Sequence, residues 1–162
     1  MPKELPIILH PDPLLRKISV ALGADKIKAP EFQRLLLDME KTMLMKDGAG
    51  LAAPQIGQNI RVSVIRHDNK THWLINPKIT TKSWAKEVDE EGCLSVLNAQ
   101  GEIIYAPVAR HKKITCLYLD RSGRAQKIRA EKLLARIIQH EVDHLDGILF
   151  IDRIEKVAGK RK

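Results

Sequence analysis

Apolar residues recur at three- and four-residue spacing in two stretches of this chain, and alternate with polar ones in several shorter stretches. From Pro30 to about Lys46, Phe32, Leu35, Leu36, Met39, Met43 and Leu44 follow the helical period, which predicts an amphipathic helix. Pro30 suits its first turn, and Asp47-Gly48-Ala49-Gly50 stops it. A second helix is predicted from about Ala130 to Leu145, with Leu133, Leu134, Ile137, Ile138 and Leu145 facing the core and Gly147 ending it. Strands are predicted near Arg61–Arg66 and His72–Asn76, separated by the polar turn His67-Asp68-Asn69-Lys70. A further pair is predicted near Lys113–Leu119 and Gln126–Arg129, joined by Asp120-Arg121-Ser122-Gly123-Arg124. His10-Pro11-Asp12-Pro13 makes an extended or turned entry, because a residue before proline avoids the helical region. Helix, strands and helix without regular alternation predict an α+β domain, with mostly antiparallel sheets packed around the C-terminal helix.

The length of 162 residues fits a single domain spanning 1–162, with a basic tail from about 155. An apolar share of 44% and a charged share of 30% place the chain among globular proteins with somewhat more charge than average. No apolar run reaches the roughly 18 residues of a membrane span. The start, Met1-Pro2-Lys3-Glu4-Leu5-Pro6, resembles neither a secretory signal nor a transit peptide. Two cysteines are too few for a disulfide framework in a chain of this size, although a Cys93–Cys116 bridge is the alternative use of them. The expected setting is a reducing cytoplasm, without membrane association. The formal charge of +8 and the ending Glu155-Lys156-Val157-Ala158-Gly159-Lys160-Arg161-Lys162 favour polyanions. With aromatics at only 4%, a solvated terminus is the preferred reading of that tail over a nucleic-acid arm.

The chemistry concentrates in Gln139-His140-Glu141-Val142-Asp143-His144, inside the second helix. Residues four apart lie on one helical face, so His140 and His144 can grip one ion. Glu141 starts about a hundred degrees round, beside the ion rather than on it, where a carboxylate can exchange protons with water. Two imidazoles leave a site incomplete, and Cys93 in Glu91-Gly92-Cys93-Leu94-Ser95 is the best third ligand. A closed structural site would need a fourth protein ligand. His10, His67, His72 and His111 all lie in polar or turn contexts, so three ligands and an open position are expected. A thiolate with two imidazoles suits iron, cobalt, nickel or zinc, and the ligands alone do not choose among them.

A third stretch is Gly48-Ala49-Gly50-Leu51-Ala52-Ala53-Pro54-Gln55-Ile56-Gly57. Its first six residues satisfy the G-x-G-x-x-A dinucleotide fingerprint, but a helix precedes them, and Pro54 and Gly57 oppose a helix after them. Nucleotide binding is therefore rejected. Small residues allow a ligand to approach the backbone, and the Gln55 amide can donate to an oxyanion.

Together, Gly48–Gln55, Glu91–Ser95 and Gln139–Leu145 resemble the peptide deformylases, which carry all three motifs in this order. Leu5-Pro6-Ile7-Ile8-Leu9-His10-Pro11-Asp12-Pro13-Leu14-Leu15-Arg16 is similar to the family's start, so the resemblance runs from about residue 5 to 153. It implies a hydrolase that removes the formyl group of N-formylmethionine from new polypeptides and releases formate. It also implies one divalent ion, usually iron(II) and often replaced by nickel, cobalt or zinc. By the same resemblance Cys93, His140 and His144 are the ligands, Glu141 is the general acid/base, and Gln55 with the Leu94 N–H forms the oxyanion hole. The Gly50 backbone holds substrate as an added strand, with Ala49, Glu91 and Ile137 also on the substrate.

The chain departs from the family between Ser95 and Ile114. Leu97 stands where proline is common, and residues 98–110 form a longer segment than in many members. Pro107 is followed by Val108 rather than by an arginine that positions Glu91 or a substrate carbonyl, a role Arg110 is placed to take. Two other readings remain: a peptidase using the same helix motif, and a non-catalytic relative that binds peptides or the ribosome. The basic tail would raise encounters with ribosomal RNA phosphate.

Overall fold

Both helical patterns are present in the computed structural model of the chain, which describes residues 1–154; the expected basic tail lies outside them. A short helix α1 (Ala24–Ile27) leads into α2 (Pro30–Met45), where Phe32, Leu36, Met39 and Met43 are buried. Leu44, predicted to join them, is 41% exposed. The covered arc of α2 turns the other way, toward Asp38 and Thr42, because the N-terminal segment docks there. Lys3 N–H donates to Asp38 Oδ1 and Leu5 N–H to Thr42 Oγ1, each at 2.8 Å.

Seven strands follow: β1 (Gly50–Ala52), β2 (Val62–His67), β3 (Lys70–Lys82), β4 (Lys86–Glu91), β5 (Ala106–His111), β6 (Lys113–Leu119) and β7 (Ala125–Glu131). They form a five-stranded sheet in the order β1-β2-β3-β6-β7 and a two-stranded sheet β4-β5, with antiparallel pairing throughout. The predicted strand at His72–Asn76 is only part of β3. That strand pairs with β2 through Ile75 and then, past register shifts, with β6 as far as Lys82. Strands β4 and β5 were not predicted. In β4 the first five residues are exposed and only Val88 is apolar, so no alternation marks it; its ladder runs from Lys86↔His111 to Glu91↔Ala106.

Helix α3 (Lys132–Leu145) begins two residues later than the apolar period suggests. Ala130 and Glu131 complete the β7 ladder against Ile114 and Lys113, and Lys132 at φ 55° turns the strand directly into the helix. Alternation along β2 sets the layers: Val62 and Val64 pack with α2, whereas Ile65 packs with Ile137, Ile138 and Val142 of α3. A third cluster joins Leu15, Cys93, Val96, Val108, Leu149 and Phe150. Leu133, predicted as core, is 60% exposed, because it shares the face of Ile137 and His140, which opens on a cavity.

Gly147 ends α3 with φ 73°, and a Cβ there would lie 2.8 Å from the Arg16 carbonyl carbon. A Gly147→Ala variant therefore meets both a left-handed backbone penalty and a backbone clash. It is expected to lose about 2 kcal/mol or more, lowering Tm by roughly 4–8 °C; an unchanged melting curve would contradict the packing described.

Candidate metal centre

Helix α3 carries His140 and His144 one turn apart, with ring centroids 4.9 Å apart and nearly edge-on. Cys93 follows β4 in a turn closed by Val96 N–H donating to Cys93 O at 3.1 Å. The Cys93 sulfur lies 3.3 Å from His144 Nε2, and the ligand atoms of Cys93, His140 and His144 all fall within 4.8 Å of one another. No other such group of acidic, His or Cys residues occurs among the described residues. Cys93 and Cys116 are both free and buried, so the alternative bridge between them is not formed.

The donor set fits a divalent transition metal. A thiol and two imidazoles converge, while Glu141 Oε2 and His144 Nδ1 are buried without a hydrogen-bond partner among the described residues. Glu141 is 3% exposed; burial pushes its carboxyl up to about 7 against the lowering pull of His140, and a bound cation would draw it down again. Burial opposes charge on His140 too, but hydrogen bonds to Cys93 and Glu91 raise it to about 10, so metal binding there must displace a proton.

Glu91, expected on the substrate, lines the cavity of the site, and its carboxylate is engaged by other side chains. Its carboxylate receives two hydrogen bonds from Arg110, at 2.7 and 2.9 Å, one from Arg136 at 2.8 Å, and faces His140 Nδ1 at 3.0 Å. Burial alone would raise the Glu91 carboxyl, but Arg110 and His140 hold it well below the usual carboxylate range. Both oxygens are thus engaged, by the His140 imidazole and by two buried guanidinium groups. Arg110 also bonds Asp143 at 2.5 Å, which is held in turn by Arg153 at 2.5 and 2.8 Å. The position the sequence offered for a Glu91-binding arginine is filled by Arg110. Arg136, Asp143 and Arg153 were missed, although an arginine inside an apolar helical stretch such as Leu134-Ala135-Arg136-Ile137 signals a buried partner.

Gln55 stands in a short 3-10 helix (Ala53–Ile56) after β1. Ala52 N–H donates to its Oε1 at 2.9 Å, which fixes the amide orientation, and its Nε2 donates to Ser95 Oγ at 3.1 Å and to the Cys93 sulfur at 3.5 Å. The amide hydrogens therefore point into the site. Among the described residues β1 is an edge strand, hydrogen-bonded to β2 alone, and Gly50 lies against Glu141. A Cβ on Gly50 would run into Glu141 Oε1 and lie 2.7 Å from Cδ. A Gly50→Ala variant is expected to displace that carboxylate and cut kcat by about 10²-fold with the metal retained; wild-type turnover in it would refute the contact.

These groups open on a cavity of about 270 Å³ whose walls include Ala49, Leu94, Ile103, Tyr105, Leu133 and Ile137. The long segment after Ser95 folds back as a small hairpin, with Leu97 bridged to Ile103 and Asn98 Oδ1 accepting from Gln100 and Glu102 N–H groups at 2.9 Å. Ile103 and Tyr105 thereby lie over Gly92, where a Cβ would come within 2.8 and 2.7 Å of them.

Antiparallel sheets around a helix that offers two imidazoles to a distant cysteine, with a buried carboxylate alongside, define a metal-dependent hydrolase architecture. The sequence profile of the family Polypeptide deformylase matches residues 4–160. The peptide deformylase of Stenotrophomonas maltophilia is 44% identical over 98% of this chain and 96% of its own length, and that of Mesorhizobium japonicum is 43% identical over 94% and 85%. Among solved structures, the peptide deformylase of Thermotoga maritima superposes with TM-score 0.87 at 36% identity, covering 94% of this chain and 99% of that one. A Synechococcus elongatus peptide deformylase in complex with actinonin gives 0.86 at 38% identity, covering 94% and 80%. The chain belongs to the polypeptide deformylase family, and is a hydrolase that takes the formyl group from polypeptide N-termini.

Proposed function

We propose that the substrate is the initiator N-formylmethionine of nascent polypeptides, cleaved to formate and a free amine around a divalent ion held by Cys93, His140 and His144. Iron(II) is the ion proposed, with nickel, cobalt or zinc as substitutes, and the cytoplasm is the proposed compartment. The convergence of those three donors beside the buried, partner-free oxygen of Glu141 carries this reading. When bound, the ion supplies Lewis acidity and brings the pKa of a water down to about 7.

The side chains supply the rest. Glu141 accepts the proton of the attacking water and delivers it to the departing nitrogen as the formyl C–N bond breaks. Gln55 Nε2, held beside the Cys93 sulfur, and the Leu94 N–H, which donates to nothing among the described residues, supply the hydrogen bonds to the oxygen that gains charge. The free edge of β1 at Gly50, with Ala49 beside it, offers main-chain groups to the extended peptide. Ile137, Leu133 and the Ile103–Tyr105 flap provide apolar wall for a methionine side chain. Glu91 keeps His140 in orientation. Lys156, Lys160, Arg161 and Lys162, outside the described residues, are proposed to favour encounter with the ribosome.

The test is formate release by anaerobically iron- or nickel-loaded protein. A formyl-Met peptide is expected to yield formate and its acetyl counterpart to react far more slowly. Equal rates on the two, or cleavage of internal amides, would sink the assignment.

A further inference from the structure

The chain crosses between its two sheets at one corner. Ser83-Trp84-Ala85 leads from β3 to β4, and Lys112 alone leads back from β5 to β6. The crossings are tied together: Ser83 N–H donates to Lys113 O at 2.8 Å, Lys113 N–H to Ser83 Oγ at 3.0 Å, and Lys112 N–H to Ala85 O at 3.0 Å. His111 Nδ1 lies 2.6 Å from Ser83 O. On this fixed turn Trp84 is 98% exposed. The other tryptophan, Trp73, donates its Nε1–H to Leu36 O at 3.2 Å and carries Arg121 over its ring. An indole held out on a rigid backbone adds nothing to folding, yet loses little entropy when a partner covers it.

The surroundings are cationic. The lysine ion pairs among the described residues are Lys46–Glu4 and Lys113–Glu131, which leaves Lys78, Lys82, Lys86 and Lys112 uncompensated. Lys82 borders a hollow on each side of the turn. One, of about 220 Å³, includes Arg61, Lys78, Lys86 and His111; the other includes Arg129 and Lys113, the latter paired with Glu131 of the same wall at 3.4 Å. The carboxylates of the first wall are engaged, Asp146 by Arg61 at 2.7 Å and Asp143 by Arg110 and Arg153. Glu87, next to Lys86, is the exposed acid nearest in sequence to the turn.

The first hollow meets α3 through Gln139, Val142, Asp143 and Asp146, whereas the metal-side cavity meets it through Leu133, Arg136, Ile137, His140 and Glu141. At about 100° per residue the centres of these two sets lie about 140° apart round the helix, and they meet at Arg136 and Asp143. The two hollows share no lining residue, so a ligand at the corner need not fill the substrate cavity.

We propose that this corner binds single-stranded RNA, with a base stacked on Trp84 and successive phosphates on Lys82, Lys86 and Lys112. An aromatic platform in a field of unpaired lysines is what a strand of stacked bases and phosphates requires. A bilayer would need a broader apolar face than Trp84 and the half-exposed Val88 supply. Such docking gives the hydrolase of the preceding section a route to RNA-bearing particles, and its chemistry does not depend on that reading.

The test titrates the full chain with a twelve-nucleotide oligouridine at low salt, following tryptophan fluorescence and the anisotropy of labelled RNA. Quenching is expected in the wild type and not in Trp84→Ala, which keeps Trp73 and should bind roughly tenfold more weakly. Lys82→Gln/Lys86→Gln should flatten the slope of log K against log salt by about 1.4. Formate release is expected unchanged in all three proteins, so failure of RNA binding and failure of the hydrolase reading are seen separately. Absence of quenching, or equal affinity in Trp84→Ala, would overturn the proposal. So would binding lost only on removing residues 155–162, or a Trp84 blue shift with anionic phosphatidylglycerol vesicles but no response to RNA.

Discussion

Glu141→Ala is expected to keep its metal and lose turnover by about 10²–10⁴-fold, the range for removing a positioned general acid and base. Glu141 is 3% exposed and adjacent in sequence to His140, but it is not one of the three convergent donors, so its removal leaves the ligand set whole. The loss should fall on kcat, because the β1 edge and the apolar walls that hold the peptide are untouched. Glu141→Gln preserves shape and packing against Gly50 while removing the proton-accepting oxygen, and should be about as impaired. Metal content by elemental analysis, read beside formate release, separates this from ligand loss. A variant retaining more than about a tenth of wild-type kcat would remove Glu141 from its proposed role.

Arg110→Leu is expected to be the most destabilising single change near the site. It withdraws the guanidinium that bonds both Glu91 oxygens and Asp143, leaving the carboxylates with Arg136, His140 and Arg153 only. Breaking a buried ion pair from one side costs about 3–5 kcal/mol. Arg110→Lys should recover little of this, since an ammonium cannot reproduce the two-pronged contact. With Glu91 less firmly held, His140 is less well oriented, and metal affinity is expected to fall by about 10–100-fold. The linkage has a definite sign. Glu91 is held below its unfolded pKa, so its stabilisation is complete above that value, near 4.3, and disappears as pH falls through the lower folded one. Without Arg110 the stabilisation is smaller and vanishes at higher pH. Denaturant midpoints for wild type and variant between about pH 3 and 7 would show the difference; identical acid limbs would count against the network.

The helices were legible because each exposes a periodic face to one environment, as Phe32, Leu36, Met39 and Met43 do. The errors came where a second partner intrudes. Leu44 lost its place to the side of α2 that the N-terminal segment covers, and Leu133 faces the cavity rather than the sheet. β4 and β5 escaped notice because a two-stranded ladder is made of backbone hydrogen bonds, and β4 has little apolar alternation to betray it. Much of the candidate site was readable in the three motifs, since metal ligation demands particular side chains. Its support was less so: Arg136, inside an apolar stretch, hints at a buried partner, but nothing local joins it to Asp143 and Arg153, which burial brings together with Glu91 and Arg110.

From sequence alone come the helical spacing of His140 and His144, the identity of a sulfur donor in Cys93, and the family to which those motifs belong. These are matters of residue type and local period, which the chain carries wherever it folds. Only the tertiary structure decided that Cys93 reaches the helix, that the Glu91 carboxylate meets His140 and two arginines, and that Trp84 faces solvent among lysines. Each depends on which distant backbone segments pack together, and on the cost of burying a charge without a partner, neither of which a local pattern can record.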